Sequence, residues 1–223
     1  MNTLDFILTK YGMDGIQLLA EHIEIPNVGR DTLATFLHEL DFKIGVEVGV
    51  QKGLYSEVLA RENSQMKVYG VDPWTNFKTC DASEDGRKTE SHASQETCDS
   101  FYEETKVRMA KYPNYEILKE YSVDAVKRFA DKSIDFVYLD GNHSYEFVKD
   151  DIIEWSKKIR PGGILAGHDY YRIKDPRALM HVKFAVDDYV RINNIKPLII
   201  WGSNAKIPGT IRDKWRSWSW IIK

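Results

Sequence analysis

The stretch IDFVYLDGNHSYEFVKDDIIEWSKKIRPGGILAGHDY, residues 134–170, decides the fold. It opens on an apolar run, IDFVYLD (134–140), that ends in Asp140. After GNHS comes an amphipathic helical pattern, YEFVKDDIIEWSKKI (145–159), whose EFVKDD and SKK charges fit a solvated helix face. A second apolar run, GGILAGHD (162–169), follows Pro161 and closes on His168 and Asp169. Strand, helix, strand within so short a span predicts two parallel strands joined by a crossover helix. Parallel strands end at the same edge of a sheet. The unit therefore brings Asp140, His143, His168 and Asp169 to one edge.

The same alternation extends outward. KIGVEVG (43–49) reads as a strand and LYSEVLARE (54–62) as a helix. KVYGVD (67–72) is a second strand and YEILKEY (115–121) a third, with the helix SVDAVKRFA after it. The pattern predicts an α/β sheet covered on both faces. Beyond the helix MHVKFAVDDYVRINN, the runs PLIIWG (197–202) and RSWSWIIK (216–223) lie too close for a helical crossover. They predict an antiparallel hairpin at the sheet edge. Trp218, Trp220 and Ile222 alternate, which suits core packing better than contact with nucleic acid or membrane. Residues 1–42 read as short helices. Leu4, Ile7, Leu8 and Tyr11 fall on one face, as do Leu33, Phe36, Leu37 and Leu40, with Asp31 at a cap position. These helices are also a candidate surface for self-association. The polar stretch TNFKTCDASEDGRKTESHAS (75–94) fits no element, and such inserts are often lids.

Composition narrows the classes. The 223 residues are 43% hydrophobic and 29% charged with net charge −3, as in a globular chain of one large domain. That charge balance argues against nucleic acid as main partner. No apolar run approaches the roughly 18 residues of a membrane span. Asp5 interrupts the first apolar run and no basic leader precedes it, so we expect no signal peptide. Cys80 and Cys98 fit free thiols in a reducing, cytoplasmic setting.

The loop VEVGVQKG (46–53) joins the first strand to the first helix. Its pattern is E-x-G-x-x-x-G, not the G-x-G-x-x-G of dinucleotide sites. A pyrophosphate laid on that helix start would be repelled by Glu47, whereas a ligand with a cationic end would be attracted. S-adenosylmethionine carries a sulfonium and an ammonium and no phosphate. Asp72, about twenty residues beyond the glycines at the next strand end, stands where a carboxylate grips a ribose diol.

With Glu47, Gly49, Gly53 and Asp72 at these strand ends, residues 43–223 resemble the class I S-adenosylmethionine-dependent methyltransferases. The string DGNHSYEFVKDDIIEWSKKIRPGGILAGHDY resembles the group containing macrolide-sugar O-methyltransferases and cephalosporin-hydroxylase-like proteins. The resemblance implies a Rossmann-like, doubly wound sheet of about seven strands, the last antiparallel, with residues 1–42 as a helical extension. It implies that Glu47, Gly49, Gly53 and Ser56 border the methionine part of the cofactor. Asp72 would lie on the ribose, Trp74, Tyr121 and Ser122 around the adenosine, and Asp140 beside the cofactor.

Methyl transfer to oxygen needs an aligned acceptor, removal of its proton and exclusion of water. Asp140 and Asp169 can hold a divalent cation such as Mg2+, which lowers the pKa of a bound hydroxyl. His143 is then a candidate base. His168 stands where catechol-type relatives carry a carboxylate, so it is a ligand, an outer group or a second base. The acceptor expected is a hydroxylated small molecule. Three rival readings use the same residues. GNH and GHD also occur in metallophosphoesterases, but the D-x-H and G-D motifs of that family are absent. A nicotinamide oxidoreductase is opposed by Glu47. A non-catalytic binding protein leaves Asp140, His143 and Asp169 without a purpose.

Overall fold

The structure, a computed structural model, describes residues 2–13, 22–76, 94–171, 180–203, 208–209, 211 and 215–223. In chain order the elements are α1 (Thr3–Lys10), β1 (His22–Ile25), α2 (Arg30–Thr35), β2 (Ile44–Val48), α3 (Leu54–Glu62), β3 (Lys67–Val71) and α4 (Gln95–Met109). They continue with β4 (Tyr115–Leu118), α5 (Ser122–Ala125), β5 (Ile134–Leu139), α6 (Tyr145–Lys158), β6 (Ile159–Gly167), α7 (Val182–Ile192), β7 (Leu198–Trp201) and β8 (Ser217–Ile221). The eight strands form one sheet in the order β1-β7-β8-β6-β5-β2-β3-β4. β8 runs antiparallel to β6 and β7, and every other pair is parallel.

Alternation along the strands sorts side chains onto two faces. Val137, Leu139, Leu165, Trp218 and Trp220 pack on one side with Val148, Ile152 and Trp155 of α6 and Ala185 and Val186 of α7. Phe136, Tyr138, Ile164 and Ala166 pack on the other with Ile7, Leu33, Tyr55 and Leu59 of α1, α2 and α3. Each face thus buries its own cluster, which makes a three-layer α/β fold of Rossmann type. The tryptophans of β8 are core residues, as their spacing predicts.

The strand order reverses between β2 and β5. Chain growth from β2 runs outward through β3 and β4, then returns to β5 and β6 on the other side. Ligands of open parallel sheets sit beyond the carboxyl ends at such a reversal. That places the loops after β2 and β5 side by side.

Several expectations need correction. Residues 1–42 are not wholly helical, because His22–Ile25 forms β1 and pairs in parallel with β7. The antiparallel hairpin is present but does not end the sheet. β8 lies between β6 and β7, and β1 takes the edge. Inner placement suits β8, since Trp218 and Trp220 fill one face while Ser217 and Ser219 bond Tyr138 and Trp201 on the other. Asp31 is no cap: Gly29 precedes α2 and Asp31 lies in its first turn. α4 has no counterpart in the sequence reading. Residues 77–93 of the insert, with Cys80 and His92, lie outside the described residues, and so does the lid expectation for them. Cys98 is a free thiol in α4. Among the described residues, no helix is long and apolar enough to cross a membrane.

Candidate active site

The loop after β2 is held from within. Gly49 takes φ +91°, a conformation that side chains resist, and a Cβ there would stand 2.0 Å from the Asp140 carbonyl oxygen. The loops after β2 and β5 therefore touch backbone to backbone at Gly49. Asp72 locks the loop from β3. Its Oδ2 accepts the Val50 and Gln51 amides at 3.0 and 2.9 Å, and its Oδ1 accepts the Trp74 amide at 2.7 Å. Trp74, itself at φ +45°, donates its indole N–H to the Gln51 carbonyl at 2.7 Å and packs on Tyr102. Burial raises the Asp72 pKa, while the three amides work against that rise.

Glu47 lies on β2 and is 1% exposed. It accepts a hydrogen bond from Ser56 of α3, and the Ser56 hydroxyl meets the Tyr115 hydroxyl at 2.8 Å. Tyr115 reaches this point only because Gly70 has no side chain: a Cβ there would collide with the phenol. Burial pushes the Glu47 carboxyl up to about 8, against the opposing Ser56 hydrogen bond and Arg30 charge. Burial thus favours the protonated form of Glu47. A cationic group brought beside it would favour the charged form.

The second half of the edge is different in kind. Asp140 ends β5, and His168 and Asp169 follow β6. His143 stands on the loop between β5 and α6, fixed there by a backbone bond from the His181 amide to its carbonyl at 2.8 Å. His143 Nε2 lies 3.0 Å from Asp169 Oδ2 and 3.8 Å from Asp140 Oδ1. Nδ1 of His168 lies 3.7 Å from Asp140 Oδ1 and 3.6 Å from Asp169 Oδ1. Asp169 adopts the left-handed conformation, φ +59°, which aspartate tolerates better than most residues. Burial works against a charge on His143, but Asp140 and Asp169 outweigh it and raise its pKa well above the imidazole range. The same partnership, together with His168, holds Asp169 well below the carboxylate range despite its burial.

These residues fit a divalent cation. Asp140, His143 and Asp169 each offer a ligand atom, all within 4.8 Å of one another. His143 Nε2 is buried and meets no hydrogen-bond geometry, so the cluster leaves one donor atom unsatisfied. Two carboxylates with an imidazole form a mixed oxygen and nitrogen set of the kind Mn2+, Zn2+ or Fe2+ accept more readily than Mg2+ does.

Of the residues singled out from sequence, Glu47, Gly49, Ser56 and Asp72 gather at the β2 and β3 ends. Gly53, at φ +71°, precedes α3. Asp140, His143, His168 and Asp169 gather at the β5 and β6 ends. Ser122 is already engaged, donating to Asp151 at 2.5 Å and accepting from Trp155 at 2.8 Å. Tyr121 precedes α5, its side chain exposed and its carbonyl taking the Asp124 and Ala125 amides. Three participants were not foreseen. Arg30 of α2 donates to Asp140 Oδ2 at 3.0 Å, Tyr115 backs Ser56, and Asp151 backs Ser122. Gly70, a small residue inside a strand pattern, was the readable sign of a close approach such as that of Tyr115. Nothing local in the sequence marks Arg30, whose partner is 110 residues away.

A family model described as a methyltransferase domain matches residues 46–170. None of the curated proteins matches the sequence. Among solved structures, the chain is similar to the O-methyltransferase TomG of Streptomyces achromogenes, involved in tomaymycin synthesis and solved with S-adenosylmethionine. That match has 13% identity and TM-score 0.58, over 97% of this chain and 86% of TomG. An O-methyltransferase of Bacillus cereus in complex with S-adenosylhomocysteine aligns at 15% identity and TM-score 0.52, over 98% and 90% of the two chains. Cofactor-bound Rv0187 from MTB aligns at 13% identity and TM-score 0.56, over 99% and 90%. These structures share the fold; the family match covers both strand ends of the site, from Val46 to Tyr170. By that match, and with the class I architecture around it, the chain belongs to the methyltransferase-domain family.

Proposed function

We propose that the protein transfers a methyl group from S-adenosylmethionine to a hydroxyl of a small polyhydroxylated molecule, a sugar or sugar-bearing natural product, in the cytoplasm. One observation carries this reading: the acid–imidazole cluster of Asp140, His143 and Asp169 meets, at the Asp140 backbone beside Gly49, the loop that follows the strand end carrying buried Glu47. S-adenosylmethionine supplies an electrophilic sulfonium methyl. Glu47 complements its positive end, and Asp72 shapes the loop and lies toward the ribose.

A divalent cation, bound through Asp140, Asp169 and one imidazole, would lower the pKa of an acceptor hydroxyl. His143 is the imidazole that groups with both carboxylates, its ligand atom and theirs all within 4.8 Å of one another, which favours it over His168 as that imidazole. His143, whose pKa the two carboxylates raise, has no hydrogen-bond partner for its buried Nε2. It becomes a base or a ligand once a bound partner takes up the carboxylate charge, and His168 then remains to receive the acceptor proton. The sugar class rests on the likeness of residues 140–170 to macrolide-sugar enzymes.

Incubation with radiolabelled S-adenosylmethionine and panels of hydroxylated natural products, with and without EDTA, tests the reading. Label in a small-molecule ether, lost in chelator, is expected. Label confined to nitrogen or carbon products, or full activity in EDTA, would overturn the oxygen acceptor or the metal respectively.

A further inference from the structure

Arg30 belongs to α2, outside the matched methyltransferase region, yet it reaches the cluster. Its Nη1 lies 3.0 Å from Asp140 Oδ2. The guanidinium stands 4.9 Å above the Tyr55 ring, and Tyr55 packs 4.5 Å from Tyr138 on β5, two residues before Asp140. The Tyr55 hydroxyl returns to the Arg30 carbonyl at 3.3 Å. The arginine is thus clamped by an ion pair in front and an aromatic face beneath, and its reach is fixed.

Three groups border the Asp140 carboxylate. Arg30 holds Oδ2, while Oδ1 lies 3.8 Å from His143 Nε2 and 3.7 Å from His168 Nδ1, too far for a hydrogen bond to either. Without Arg30, rotation of the Asp140 carboxylate would let Oδ1 close that gap onto an imidazole. Closure would consume the oxygen that the cluster offers a cation.

We propose that Arg30 is a positioning residue of the active site: by holding Asp140 Oδ2 it keeps Oδ1 open toward the cluster instead of collapsed onto His143. The N-terminal segment then completes the site. This inference rests on the metal-assisted reading above. It also opposes a simpler electrostatic argument, in which removing a positive charge beside a ligand would tighten cation binding.

Calorimetric titration of Mn2+ into the wild type, Arg30→Ala and Arg30→Lys proteins decides between them, with S-adenosylhomocysteine titrated into each as a measure of the other half. Arg30→Ala should bind Mn2+ about 10–100-fold more weakly, the usual effect of losing a partner that orients a ligand. Arg30→Lys should recover most of that loss, and S-adenosylhomocysteine should bind all three alike. Unchanged or tighter Mn2+ binding in Arg30→Ala would overturn the proposal. Equal loss of S-adenosylhomocysteine binding would also do so, since it would mean a general structural role. A wild type that binds S-adenosylhomocysteine but no Mn2+ would remove the metal from the functional reading and this inference with it.

Discussion

Asp72 and Asp140 are both aspartates just past the ends of parallel strands of one sheet, yet their surroundings are opposite. Asp72 spends both oxygens on backbone amides of its own neighbourhood. Asp140 is shared between Arg30, from another part of the chain, and two imidazoles that it does not quite reach. The β2 side is therefore a frame set by backbone geometry before any ligand arrives. On the β5 side, side chains from α2, the loop after β5 and the segment after β6 converge, and one buried nitrogen has no bond. A site so divided can keep one donor molecule while its chemistry is adjusted at the other edge.

If the two edges are separable, mutations should divide cleanly between turnover and cofactor binding. His143→Ala, which removes either the base or an imidazole ligand of the acceptor's cation, should lower turnover by about 10²–10⁴-fold. Its affinity for S-adenosylhomocysteine should stay at the wild-type value. A steady-state assay beside calorimetry reads both, and a parallel loss of affinity would break the division.

Gly49→Ala strikes where the edges meet. The added methyl would sit 2.0 Å from the Asp140 carbonyl at a φ that side chains avoid. A loss of about 3 kcal/mol in stability is expected from strain and overpacking together. Urea denaturation measures it, and a wild-type midpoint would show that the loops are looser than described.

Asp72→Ala frees three amides at once. We expect S-adenosylhomocysteine affinity to fall about 10–100-fold, in line with about 1–3 kcal/mol for buried donors left unpaired. Mn2+ binding should be unaffected. Loss of Mn2+ binding would make the β2 frame part of the cluster.

A further comparison concerns pH. Glu47 is raised to about 8 by burial, so between the ordinary carboxyl value and about 8 the folded protein holds a proton that the unfolded chain has released. Stability from this group is present at low pH and falls as pH rises through that window, by up to about 1.4 kcal/mol per unit. Glu47→Gln should flatten the decline. Thermal melts at pH 6, 7 and 8 compare the slopes, and parallel slopes would place the Glu47 titration elsewhere.

Apart from α4, the order of strands and helices from Ile44 to Gly167 was legible because the strands are apolar and their covering helices amphipathic. α3 spans Leu54–Glu62, the run its pattern marks. α4 was not legible, because only Thr105 and Met109 of its fifteen residues are buried and no apolar stripe forms. β1 is four residues long and owes its strand state to β7, more than 170 positions away in sequence. In the site, carboxylates at strand ends could be placed from topology alone. What topology could not supply was their division of labour. Arg30 reaches Asp140 across the fold, and the rise of the His143 pKa follows from distances that no spacing encodes.

Titration of S-adenosylhomocysteine into the wild-type protein, with and without Mn2+, tests the central claim most directly. Saturable heat at one site per chain, present in either condition, is the predicted result. Absence of heat for both S-adenosylhomocysteine and S-adenosylmethionine in every condition would contradict it.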